Sequence, residues 1–203
     1  TDLDTKVNKK LQELQTRRNG RATEKAGHRS DRDAQIANHR GQADTRHDTR
    51  FATLDTKATT DVQKAAVTEF KASVTAAINA RRTAIDAAIR DFRGAVDGLT
   101  DTQKSKVDAA VAEFNTTRIA AINKAKASCT AGTDSATVKA AFDADIKAAK
   151  DAFKAAKDLI TKKADVDAAI ATRKTAIDKA ISDFKTAMTA AQDKLKLVFP
   201  KAQ

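Results

Sequence analysis

Metal-ligand and nucleophile chemistry in this 203-residue chain would have to come chiefly from three histidines, one cysteine and the acidic side chains. His47 and Asp44 sit three residues apart, so a helix puts them on one face, with Asp48 beside them. That is short of the three or four convergent ligands a structural or catalytic metal needs. His28 and His39 share a helical face as well, but eleven residues separate them by about 16 Å, too far for one ion. The single cysteine, Cys129, lies about eighty residues beyond the last histidine, so no local nucleophile and base pair is present. No Gly-x-Ser-x-Gly elbow, phosphate loop or Cys-x-x-Cys occurs. The expectation is a non-enzymatic protein without cofactor or metal. An odd cysteine in a secreted chain is a candidate for an intermolecular disulfide, and Cys129 carries that expectation.

Charge offers the next chemistry. Lys and Arg number 38 against 27 Asp and Glu, a formal net charge of +11, which is an electrostatic footprint for an anionic partner. The densest basic features are Arg17, Arg18 and Arg21, and then Arg40, Arg46 and Arg50. Acidic residues are threaded between them, however, and no Trp or Tyr offers a stacking platform. Nucleic-acid binding is therefore the second reading. An anionic cell-wall or surface polymer, or acidic faces of a neighbouring subunit, would suit the same arginines.

The elements that would position these groups are helical. One Pro and six Gly leave too few turns for a β-sandwich or barrel. The longest stretch without a charge, Ala72 to Ala80, is far shorter than a membrane-spanning helix requires. Leu, Ile, Val and Phe total 37 while Ala alone supplies 44, so any single core must be thin. The chain begins at Thr1 without an initiator Met, and the expectation is export with a signal peptide removed and an extracellular or cell-surface location.

Residues 1–60 read as a basic helical arm. Leu3, Val7, Leu11 and Leu14 form a short stripe, and Ile36, Phe51 and Leu54 resume it. Gly20, Gly27 and Gly41 interrupt the pattern, each costing about 1 kcal/mol in a helix interior. Alone in water such an arm should fray, so a neighbouring copy of the chain is its expected support. The expected assembly interface is Leu3, Val7, Leu11, Leu14, Ile36, Arg40, Arg46, Arg50, Phe51 and Leu54.

Residues 61–203 read as an Ala-rich bundle. A helix from Asp61 is expected to stop at Gly98, where Thr100-Asp101-Thr102-Gln103 has the form of a capping box, giving a tight turn at 97–101. A second helix carries Val107, Val111, Phe114, Ile119 and Ile122 and ends near Cys129. Asp134 or Thr133 then caps a third, whose stripe includes Val138, Phe142, Phe153, Val166, Ile170, Ile177, Ile181 and Phe184; Asp165 is an alternative start for a fourth. Residues 74–99 align without gaps to 166–191 with 14 identities in 26, and Phe142 and Phe153 are eleven apart. Eleven residues make three near-whole turns, a period that keeps one face in line along a nearly straight helix.

The expected fold is all-α, an elongated bundle of three to four long antiparallel helices with an extended N-terminal arm. The absence of Trp and Tyr and the Ala, Thr and Asp richness resemble flagellin-type filament subunits. The long Arg-bearing first helix, the Gly-containing turn expected at 97–101, the lone Cys129 between the second and third helices and the late Pro200 resemble secreted helical-hairpin proteins of small-genome bacteria. Those resemblances imply secretion, helicity and a structural subunit of a self-assembling surface filament, its chief partner being itself. The Ala- and Lys-rich amphipathic texture of 61–199 is similar to phasins and exchangeable apolipoproteins, which implies a lipid-surface alternative.

Overall fold

In the computed structural model, which describes residues 2–160 and 163–199, every regular element is an α-helix. The side chains of 2–4, 6–8, 10 and 11 fall outside the description, as does Pro200. Four helices follow one another: α1 (Asp2–Lys57), α2 (Asp61–Thr130), α3 (Ser135–Asp158) and α4 (Lys163–Val198). The chain divides into two compact units, one of residues 1–71 with 194–203, the other of 72–193. The arm boundary expected at 60 lies in the connection between α1 and α2.

In the first unit, α1 continues through Gly20, Gly27 and Gly41. Its half-buried side chains Arg18, Arg29, Arg40 and Phe51 recur every eleven residues, as do Lys25, Ile36 and His47. Threonines satisfy their hydroxyls on the preceding turn: Thr16, Thr45, Thr49 and Thr53 each donate to the carbonyl four residues back, at 3.0–3.1 Å. The end of α1 packs on the start of α2. Phe51 meets the Phe70 ring edge-on at 6.4 Å, Lys71 pairs with Asp55 and lies over the Phe51 ring, and Val67 is fully buried. Lys194 of α4 reaches Glu69 at 2.7 Å.

α2 begins with a capping box. Gln63 Oε1 accepts from the Thr59 and Thr60 amides, and the Gln63 amide donates to Thr60 Oγ1 at 3.2 Å. The same Thr-Asp-x-Gln letters at 100–103 do no capping. The turn expected at 97–101 is absent: α2 is continuous there, and Thr100 Oγ1 donates back to the Val96 carbonyl at 2.8 Å. Packing decides between the two sites. Val96, Leu99, Gln103 and Val107 stay half-buried on one unbroken stripe, so continuing the helix keeps their contacts, whereas Thr59 and Thr60 lie outside the helices.

In the second unit α3 and α4 both run antiparallel to α2. Arg81 and Phe92 of α2 meet Phe184 and Arg173 of α4, so eleven residues up one helix match eleven down the other. Farther along, Phe114 meets Phe153 of α3 at 5.7 Å and Lys124 pairs with Asp145 at 2.8 Å. The α2–α3 connection is a Schellman turn. Gly132 takes φ +78°, its amide bonds the Cys129 carbonyl, and the Thr133 amide bonds that of Ser128. Asp134 is the N-cap of α3, its carboxylate accepting from the Thr137 amide at 3.0 Å. α3 ends at Asp158, and a separate fourth helix, α4, starts at Lys163 rather than Asp165.

Seven of the eleven buried hydrophobic residues among those described are alanines, and only Val67 and Val74 are large side chains buried completely. The helices are thus held by a thin line of small residues backed by half-buried Phe rings.

Candidate functional site

The most organised side-chain arrangement lies where the duplicated segments meet. Each position in 74–99 has its counterpart 92 residues later, so Arg81 corresponds to Arg173 and Phe92 to Phe184. In the folded chain Arg81 lies over the Phe184 ring at 3.9 Å from its centroid, and Arg173 over the Phe92 ring at 4.2 Å. Exchanging the two segments turns one contact into the other. The α2–α4 pair therefore has an internal two-fold relation, centred between Asp86 and Ala87 on one helix and Asp178 and Lys179 on the other. Ala88 and its counterpart Ala180 are both buried beside that centre. A guanidinium over an aromatic face is attracted by the ring quadrupole, by about 0.5–2 kcal/mol depending on desolvation, and its planar shape stacks where an ammonium would not.

The stripes of α2 and α4 follow a different line from the one the large apolar residues suggest. Ile119 was expected on the α2 stripe but is 50% exposed, and Arg118 takes the inner position at 6%. Arg118 lies eleven residues beyond Val107, so the period selects it. On α4, Ile170 and Ile181 are likewise exposed, while Ala180 and Ala191 are buried. Small residues win these places because alanine lets two helix axes approach closely, and the isoleucines one position along are turned toward solvent.

Surface charges are mostly paired within a helix. Lys139–Asp143, Lys147–Asp151, Lys163–Asp167, Lys174–Asp178 and Lys179–Asp183 all span four residues at 2.5–2.8 Å. Asp143 and Lys147 are themselves four residues apart, yet each is engaged with another partner. The hydrogen bond and charge of Asp178 hold the Lys174 ammonium above its ordinary pKa. The Thr137 amide holds the Asp134 carboxyl below its own.

Of the expected interface, Leu3, Val7 and Leu11 lie among the undescribed side chains. Leu14, Arg46 and Arg50 are exposed, Ile36 and Arg40 are half-buried on α1, and Phe51 and Leu54 are half-buried. Phe51 makes an aromatic contact within the chain, on Phe70. His28 and His39 are exposed, and His47 lies beside the Phe51 ring at 6.2 Å. Cys129 is an exposed free thiol near the end of α2. No group of three or more metal-ligating side chains occurs among the described residues, and no described helix is long and apolar enough to cross a membrane. Sequence reasoning saw the duplication but missed the Arg–Phe stacking. Its signal was there: Arg and Phe eleven residues apart, in both copies.

No protein-family model matches the chain, and neither a curated protein nor a solved structure shows significant similarity to it.

Proposed function

We propose that this chain is a structural protein that assembles with copies of itself, as the subunit of a secreted cell-surface filament. One observation carries this: among the described residues the helices pack through a line of alanines with only two large side chains buried completely, while Leu14, Ile119, Ile170 and Ile181 face outward along their helices. Apolar area left on helix faces is area that association can still bury, at about 25 cal/mol per Å². A helix of 56 residues with three glycines and no buried side chain among those described between 12 and 57 also gains most from further packing. The net charge of +11 favours an anionic surface polymer as an additional partner.

Light scattering and electron microscopy of the purified full chain at physiological salt test this directly. Filaments that change form when residues 1–50 are removed are the expected result. A monomer at every concentration, binding DNA with a steep salt dependence or binding liposomes, would replace this function with the nucleic-acid or lipid-surface one.

A further inference from the structure

The duplicated segment presents one apolar face twice, and the two copies differ in cover. Ile78 on α2 is 5% exposed and Ile89 is half-buried. Their counterparts on α4, Ile170 and Ile181, are 40% and 37% exposed. A face kept apolar in both copies is therefore better covered in one than in the other. Ile170 and Ile181 are eleven residues apart and so lie in line along α4. Asp167, Lys174, Asp178 and Lys185 flank that line on one side, within about 80° of it.

We propose that this face of α4 pairs with the same face of a second copy, the two helices antiparallel about a two-fold axis near Ala176. The proposal rests on the self-assembly put forward above and names its contact. Charge complementarity sets both direction and register. Placing Ile170 against Ile181 of the second copy puts Lys174 beside Asp178 of the second copy and Asp167 beside Lys185 of the second copy, and the two-fold repeats each contact. All four flanking contacts then join opposite charges. A parallel pairing in register would instead set Lys174 against Lys174 and Asp178 against Asp178. The heads are accessible for this. Lys174 and Asp178 already pair at 2.6 Å with their side chains 75% and 57% exposed, so two such pairs close into a ring of four alternating charges across the axis. An interface of this kind is isologous: one patch serves both partners.

Cysteine cross-linking of the full chain, with Cys129→Ser as background, reads the register. Mixing an Ile170→Cys chain with an Ile181→Cys chain under mild oxidation is expected to give a disulfide dimer at least ten times more abundant than either variant gives alone. In this register two copies of residue 170 are about 16 Å apart, beyond disulfide reach. Lys174→Asp should lower the dimer yield, and adding Asp178→Lys should restore it, because the exchange preserves every opposite-charge contact. Equal cross-linking of Ile170→Cys alone, or failure of the double exchange to restore dimer, overturns the pairing. Light scattering of the unmodified chain separates the two levels: assembly without 170–181 cross-links refutes this interface only, whereas a persistent monomer refutes self-assembly as well.

Discussion

The guanidinium of Arg81 lies 3.9 Å from the centre of the Phe184 ring, and the counterpart contact, Arg173 on Phe92, is its image within the same helix pair. Two residues set eleven apart on each helix thus make one contact twice. The pair is held on either side of the centre of the duplicated stretch by the same chemistry.

Phe92→Ala and Phe184→Ala should therefore destabilise the chain by similar amounts, about 2 kcal/mol each for half-buried rings, less than the 3–5 kcal/mol of a full core truncation. Arg81→Met, which keeps the packing but removes the charge, should cost about 1 kcal/mol or less. Urea unfolding followed by circular dichroism measures both. A double-mutant cycle on Arg81 and Phe184 should return a coupling above about 0.5 kcal/mol, and zero coupling would show that the stacking is incidental.

Gly98→Ala separates a continuous α2 from a turn at 97–101. Inside a helix, with open space around the added methyl, the change should stabilise by about 0.5–1 kcal/mol and raise the melting temperature. At a turn needing positive φ it would lower it. Gly132→Ala is the internal contrast: at φ +78° it should destabilise by about 1 kcal/mol.

The two Thr-Asp-x-Gln sequences should respond differently to truncation of their glutamines. Gln63→Ala removes the acceptor for two amides and should cost about 1 kcal/mol. Gln103→Ala, in mid-helix, should change stability by only a few tenths, since alanine is the better helix former. Comparable losses from both would mean that residues 100–103 also cap a helix.

Asp134 gives α3 a pH dependence. Its carboxyl is held below the ordinary value by the Thr137 amide, so the native state binds fewer protons there than the unfolded chain. The stabilisation is complete above the unfolded carboxylate pKa, near 3.9, and is lost as pH falls through the lower folded value. Asp134→Asn should keep a cap but flatten that acid limb; a melting profile between pH 2 and 6 identical to wild type would contradict this.

The sequence announces helices, their eleven-residue period and the duplication, because these need only composition and spacing. The phase of each stripe is harder to read. Ile119, Ile170 and Ile181 look like core by side-chain type, yet Arg118, Ala180 and Ala191 take the inner positions. Type-based reasoning rewards bulk, whereas close helix packing rewards small residues at the contact line. No turn forms at 97–101 for a related reason: the local capping motif yields to the stripe that runs through it. For the Arg–Phe stacking, the eleven-residue spacing in both copies names the partners, but which antiparallel alignment brings them together is set by packing between α2 and α4, which no local pattern reports.

Helices built on an eleven-residue period are liable to slide, because a shift of three turns returns every stripe to the same side. The Arg and Phe placements act as a detent against that error. Sliding α4 by eleven residues in one direction would bring Arg173 against Arg81, two like charges, and in the other would leave Arg81 facing Leu195. Only the observed alignment seats both cations on rings, so the duplicated pair measures its own length.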